Sequence, residues 1–234
     1  MNNLSLLTYT HSKASDLHKP YYERLLKYFP DMKNIFFTCN EKVEYGKTFI
    51  YNDDDNHSVQ MIRALEKIPT DFVMYSQEDY ILYDYVKIKE IKKCIKVLEN
   101  DPEVAFIRLI HSGLGNKTKK YNKDFTLVDP NSVYFFSTQA SIWRKEHLIE
   151  MFKSSDVKSI FDEPYNSLFL KLMLVKGLYE NKKGTKVGGH FNSWIYPYIA
   201  TAIVKGKWNI KEYSKELDLL HKEYDIDPNI RGVS

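Results

Sequence analysis

Gln77, Glu78 and Asp79 follow directly on an apolar run, Phe72-Val73-Met74-Tyr75, and the chain then returns at once to Tyr80, Ile81 and Leu82. Two adjacent carboxylates repel each other unless water, a cation or a basic side chain offsets their charge. Mg²⁺ and Mn²⁺ prefer oxygen ligands and are commonly held by one or two carboxylates together with a phosphate. A solvated turn, or Asp79 capping the next segment, is the competing reading of the dipeptide alone. Asp53-Asp54-Asp55 forms a second acidic cluster, but it abuts a helix start at Asn56, where the helix dipole favours acids. It reads mainly as a cap and turn. Arg63 lies three residues after Gln60 and shares its helix face. Its planar fork suits a diphosphate or Asp79 equally, with a solvent-facing arginine as the alternative. The sequence shows no Ser/His/Asp nucleophile pattern, no glycine-lysine phosphate loop and no zinc-ligand spacing.

Groups of this kind need a scaffold, and the first half alternates strand-like with helix-like runs, as in a mostly parallel central sheet flanked by helices. Residues 4–10 read as the first strand, and Ser15 or Asp16 is the expected cap of a helix that places Tyr21, Leu25, Leu26 and Phe29 inward before Pro30. Residues 34–40 and 48–53 read as strands. Asn56 caps a helix carrying Val59, Ile62, Leu65 and Ile68. Residues 71–77 form the strand that ends at the carboxylates, residues 86–100 an amphipathic helix, and residues 104–110 another strand. The polar stretch 111–132 reads as a loop or hairpin. Beyond it follow helical runs over 144–152 and 164–175, a Gly/Lys-rich loop over 176–190, an aromatic strand-like run over 193–204 and a polar terminal helix. In the class α/β, this is one domain over 1–234, with a regular half, 1–110, and a less regular half, 111–234.

A chain of 234 residues is long enough to bury a core without cross-links. Its 34 basic and 31 acidic residues nearly cancel, so a nucleic-acid partner is not expected. Cys39 and Cys94 lie far apart, as in a reducing compartment. No run approaches the roughly 18 uninterrupted apolar residues of a transmembrane segment, and the start lacks the basic flank of a leader. A cytoplasmic protein is the expectation.

The block Asn56 to Asp84, "NHSVQMIRALEKIPTDFVMYSQEDYILYD", resembles glycosyltransferases of the GT-A fold, in which a helix leads through an Ile-x-Thr-Asp step into an apolar strand ending in an acidic motif. The likeness is similar to that of small viral and bacterial surface-glycan transferases, including the chlorella virus glycosyltransferase domain, and is strongest over residues 50–85. It implies a GT-A, Rossmann-like fold, with a nucleotide-sugar-binding half and an acceptor-binding half. Gln77-Glu78-Asp79 matches the metal-holding Asp-x-Asp motif with Gln in place of the first Asp. Asp79 is then the ligand of Mn²⁺ or Mg²⁺, while Glu78 touches the metal, binds sugar or ribose, or shapes the turn. Thr8, Tyr9 and His11 match the positions that meet nucleobase and ribose. His190 matches a late metal ligand, Trp143 an acceptor-stacking ring, and Asp162 with Glu163 the place of a general base, Glu163 being preferred. The ordinary alternatives are a strand end, a loop histidine, a core tryptophan and acids favoured at a helix start.

The implied reaction is transfer of a sugar from a nucleotide diphosphate sugar, expected to be a UDP-sugar, to the hydroxyl of a glycan or glycoconjugate. A sugar-phosphate nucleotidyltransferase would use the same α/β half, although the segment after the first strand, Thr10 to Asp16, carries no glycine. A non-catalytic glycan-binding module is the third reading.

Overall fold

A computed structural model describes residues 1–110, 119–128, 136–153, 176–180, 186–187, 190–191 and 193–234, with backbone alone between 176 and 191. The chain opens with β1 (Leu4–Tyr9), a 3₁₀ turn (Ser12–Ala14), α1 (Ser15–Tyr28), β2 (Ile35–Cys39), β3 (Lys47–Ile50), α2 (His57–Glu66), β4 (Phe72–Gln77), α3 (Ile88–Asn100) and β5 (Val104–Arg108). It continues with β6 (Phe125–Leu127), β7 (Ser141–Arg144), α4 (Lys145–Lys153) and β8 (Lys176–Glu180), then the short strands β9 (Lys186–Val187), β10 (His190–Phe191), β11 (Ile203–Val204) and β12 (Lys207–Trp208), and ends in α5 (Ser214–Tyr224) and α6 (Pro228–Arg231).

Among the described residues, eight strands form the central sheet in the order β3-β2-β1-β4-β7-β5-β8-β6. β1 to β5 and β8 run one way, while β7 is antiparallel to β4 and β5, and β6 to β8. Strands of both halves therefore share one sheet.

Side chains of β1 and β4 alternate between two buried layers, as expected where helices cover both faces. Leu4, Leu6, Phe72 and Met74 pack with Leu17, Tyr21 and Leu25 of α1 and with Ile91, Cys94 and Leu98 of α3. Leu7, Val73 and Tyr75 pack on the other face with Met61, Ala64 and Leu65 of α2 and Leu148 and Phe152 of α4. Each fully buried leucine contributes about 1.5–3 kcal/mol, so this double layer holds the β1–β4 pair rigidly.

Asn56 caps α2 as its sequence implies, its Oδ1 accepting from the Val59 N–H at 2.9 Å. The first helix departs from expectation. Neither Ser15 nor Asp16 caps it: the chain makes a 3₁₀ turn first, in which the His11 Nδ1 accepts from the Lys13 N–H at 3.0 Å. Asp16 is thereby left on the first turn of α1. Leu26 is exposed rather than inward, because the buried stripe of α1 runs through Leu17, Tyr21, Arg24 and Leu25.

Larger corrections fall in the second half. Residues 176–190, expected as a Gly/Lys loop, begin with β8, which lies beside β5, and end in the β9–β10 hairpin. Residues 193–204, expected as a strand, are mostly buried, with Trp194 and Val204 exposed, but irregular except for β11. Their backbone binds the segment after the carboxylates instead: the Tyr83 N–H donates to the Pro197 carbonyl (3.0 Å), the Lys87 N–H to Ile195 (2.9 Å) and the Ile199 N–H to Ile81 (3.0 Å). Pro197 has no N–H to give a ladder, and the partner is itself a bend. The polar stretch contains a hairpin arm, with Lys120 bridged to Thr126 of β6. The expected helix over 164–175 lies outside the described residues. Among the described residues no helix is long and apolar enough to cross a membrane.

Candidate active site

Strand order reverses at β1, which has β2 on one side and β4 on the other. In open α/β sheets ligands bind beyond the carboxyl ends of the strands at such a switch point. Thr8 lies in register with Ser76 and Tyr9 with Gln77. Thr10 with His11, and Glu78 with Asp79, therefore leave the sheet side by side.

A tight turn, closed by the Tyr80 N–H donating to the Gln77 carbonyl at 3.1 Å, carries the two acids. Tyr80, Ile81 and Leu82 then re-enter the core beneath residues 195–202. The acids are half-buried. Burial raises the Glu78 carboxyl to about 7, against hydrogen bonds from the backbone and Thr10 and the positive charge of Arg231. Burial first, and the charge of Glu78 second, raise Asp79 to about 8. The Asp79 Oδ1 is buried and has no hydrogen-bond partner. An orphaned acceptor on one of two mutually repelling acids is what a divalent cation would satisfy, with the remaining ligands drawn from phosphate oxygens. Asp79 and Glu78 fit such an ion on donor chemistry. Among the described residues no group of three or more His, Cys, Asp or Glu is placed to hold a metal ion.

Thr8 faces inward. The Tyr21 hydroxyl donates to the Ser76 Oγ at 3.0 Å and lies 2.8 Å from the Thr8 Oγ1, so the strand ends are tied from α1. The Tyr9 ring stacks flat on Tyr51 with centroids 5.6 Å apart and meets His57 edge-on, and its hydroxyl donates to the Gln60 Oε1 at 2.9 Å. His11 reaches toward Asp53, with Nε2 3.4 Å from Oδ1. Asn40 joins them, donating to the Asp53 Oδ2 and the Ser12 Oγ and accepting from the Ser12 N–H. One residue of the Asp53-Asp54-Asp55 cluster thus comes to the mouth of the site, and Asn40 was not singled out from the sequence. A pocket of about 330 Å³ opens beside it at the ends of β1 and β2, lined by Ser12, Ser15, His18, Cys39, Lys42 and Tyr45 among others.

Two expected residues, Arg63 and Trp143, do not join this constellation as anticipated. Arg63 is 60% exposed and pairs with Asp55 instead of Asp79. Trp143 is 1% exposed, stacked on Phe106 at 4.3 Å with Phe136 alongside, so its ring is filled by the core and has no face for a sugar. The reason is register, since Trp143 pairs with Val73 and Phe106 inside the sheet, on the layer under α2 and α4. Asp162 and Glu163 lie outside the described residues, as does the side chain of His190, whose backbone opens β10.

Arg231 is the charged residue that sequence reasoning missed. Its guanidinium grips Asp16 of α1, with Nε 3.0 Å from Oδ2 and Nη2 bonded to Oδ1, and its charge is felt by Glu78 and Asp79. The short Pro-started, Gly-ended helix was a signal for an element at 228–231, but nothing in spacing ties residue 231 to residue 16.

No protein-family model matches the sequence, and no curated protein matches it. Solved structures do show the likeness of fold. A CMP:2-keto-3-deoxy-manno-octonic acid synthetase complexed with CTP aligns with 76% of this chain and 88% of its own, at 11% identity and a TM-score of 0.51. A cytidylyltransferase from Leptospira borgpetersenii serovar Hardjo-bovis aligns over 97% of both chains, at 11% identity and a TM-score of 0.51. S. aureus TarS, residues 1–349, aligns with 98% of this chain and 68% of its own, at 12% identity and a TM-score of 0.49. At such identities the likeness is one of fold. The chain has a mixed α/β architecture, a central mostly parallel sheet flanked by helices, of the Rossmann-like type that the synthetase and the cytidylyltransferase share.

Proposed function

We propose that the protein is a metal-dependent glycosyltransferase that moves a sugar from a nucleotide diphosphate sugar, a UDP-sugar in the first instance, to the hydroxyl of a glycan or glycoconjugate. One observation carries the reading: a half-buried carboxylate pair at the switch point, with a buried Asp79 oxygen that has no partner. A bound Mn²⁺ or Mg²⁺ supplies Lewis-acid neutralisation of the charge that grows on a departing diphosphate.

The chain's own residues divide the remaining work. Asp79, with Glu78 beside it, holds the ion, and His190 is proposed as a later ligand. The pocket beside Ser12, Cys39 and Tyr45 takes the nucleobase, whose ribose meets the Asn40–Asp53–His11 cluster. Glu163, with Asp162 next to it, is the proposed acceptor of the proton released by the attacking hydroxyl if configuration inverts. A sugar-phosphate nucleotidyltransferase would employ the same acids. The glycine-free turn from Thr10 to Ala14, tightened into a 3₁₀ helix, supports the transferase, since a glycine-rich basic loop is what cradles a triphosphate.

Calorimetric titration with UDP, with and without Mn²⁺, on the wild type and Asp79→Ala tests the reading. Metal-enhanced UDP binding that Asp79→Ala abolishes is expected, and equal binding by both proteins would refute it. Release of pyrophosphate from CTP in the presence of a sugar phosphate would identify the nucleotidyltransferase instead.

A further inference from the structure

We propose that Arg231 is the anion-binding residue of the site, exchanging Asp16 for the diphosphate of the bound nucleotide. The inference rests on the nucleotide reading above and adds a residue and an exchange to it.

Arg231 is placed with care by elements far from the sheet. Lys205 and Gly206, both at positive φ (51° and 79°), turn the β11–β12 hairpin. The backbone of Trp208 then clamps the chain end: its N–H donates to the Gly232 carbonyl and its carbonyl accepts from the Ser234 N–H, each at 2.9 Å. Asp227 caps α6 by accepting from the Asn229 N–H at 2.9 Å, and Gly232 (φ 83°) ends it, so the last turn is fixed on both sides. Arg231 points from this turn to the Gly206 carbonyl (3.3 Å) and to Asp16.

Asp16 sits on the first turn of α1, directly after the loop that leaves β1 at the switch point. Its carboxylate meets the guanidinium with both oxygens, the geometry in which a guanidinium also receives two phosphate oxygens. The partners are unequal. Arg231 is 16% exposed and Asp16 is 53% exposed, so the arginine is built in while its carboxylate stands largely in water. An exposed carboxylate is a weak, displaceable partner for a fixed fork. Glu78 and Asp79 both feel the positive charge of Arg231, so a ligand that reached all three would meet acids that hold an ion and a cation that binds it directly. A diphosphate with its divalent ion has that charge pattern.

Titration of UDP and of uridine, both in Mn²⁺, on the full chain tests the exchange in the wild type, Arg231→Gln, Arg231→Lys and Asp16→Asn. Arg231→Gln is expected to bind uridine like the wild type and UDP about ten- to a hundredfold more weakly, with Arg231→Lys between them. Asp16→Asn is expected to bind UDP several-fold more tightly, with uridine unchanged, because it frees the fork. UDP binding that Arg231→Gln leaves unchanged overturns the proposal, as does equal or weaker UDP binding by Asp16→Asn. Asp16→Asn decides the matter alone if Arg231→Gln does not fold. A wild type that binds neither ligand overturns the nucleotide reading and this proposal together, whereas the variant outcomes bear on Arg231 only.

Discussion

Thr8 and Ser76 face each other across the β1–β4 pair, and one phenol, that of Tyr21, reaches both hydroxyls from α1. The two strands that deliver the candidate site are therefore locked to each other and to the helix below them by a three-hydroxyl chain. All three groups are buried, so none of them can exchange its partner for water.

Tyr21→Phe keeps the ring in its packing and removes the link. It is expected to cost about 1–2 kcal/mol, because the Thr8 and Ser76 hydroxyls lose a buried partner. Urea denaturation followed by circular dichroism measures this, and an unchanged midpoint would show the chain of hydroxyls to be idle.

The carboxylate pair makes stability depend on pH. Glu78 and Asp79 both titrate higher in the folded chain than at their ordinary values of 4.5 and 3.8, near 7 and 8. Between about pH 4 and pH 8 the folded state consequently holds more protons than the unfolded one, and stability falls as pH rises through that window. Asp79→Asn is expected to melt higher than the wild type at pH 8 without divalent ions, by on the order of 1–3 kcal/mol, and alike at pH 4. Mn²⁺ with UDP should protect the wild type more at pH 8 than at pH 6, since protons compete for the same oxygens. Thermal melts across pH, with and without the ion, read both effects; parallel pH profiles for the two proteins would mean that the acids are solvated.

Trp143→Ala should behave as a core truncation, costing about 3–5 kcal/mol, while Trp143→Phe stays folded and changes acceptor kinetics little. A folded Trp143→Phe with a selectively raised acceptor KM would restore the sugar-stacking role.

Arg63→Ala removes an exposed pair with Asp55. Stability is expected to change by less than about 1 kcal/mol, and UDP affinity not at all. Calorimetry on this variant is also the natural control for Arg231→Gln, because both lose one arginine but only one loses it at the switch point.

The sequence made the parallel framework readable where local pattern and burial agree. Phe72-Val73-Met74-Tyr75 is apolar because both sheet faces are covered, Asn56 announces α2, and the 3.6-residue rhythm of Ile91, Ile95 and Leu98 announces α3. Glu78 and Asp79 were legible for the same reason, since charge directly after a buried strand has few places to go. What escaped depends on long-range partners. Residues 193–204 have a strand's composition but take their hydrogen bonds from the irregular backbone after the acids, and Trp143 has a binding residue's chemistry but a sheet register that buries it. Arg231 meets Asp16 across 215 positions, a separation no periodicity encodes.

The antiparallel strand β7 occupies the gap between β4 and β5, although the chain makes those two first. Until residue 144 has emerged, each of these apolar ribbons has a raw, unsatisfied border where β7 belongs. The carboxylate turn hangs from one of those borders, so a fragment ending at residue 110 should be sticky and misshapen at the very spot where the ion is meant to sit. Competence for ligand would then arrive late during synthesis, only after β7 has filled that gap and the later segments have joined the site.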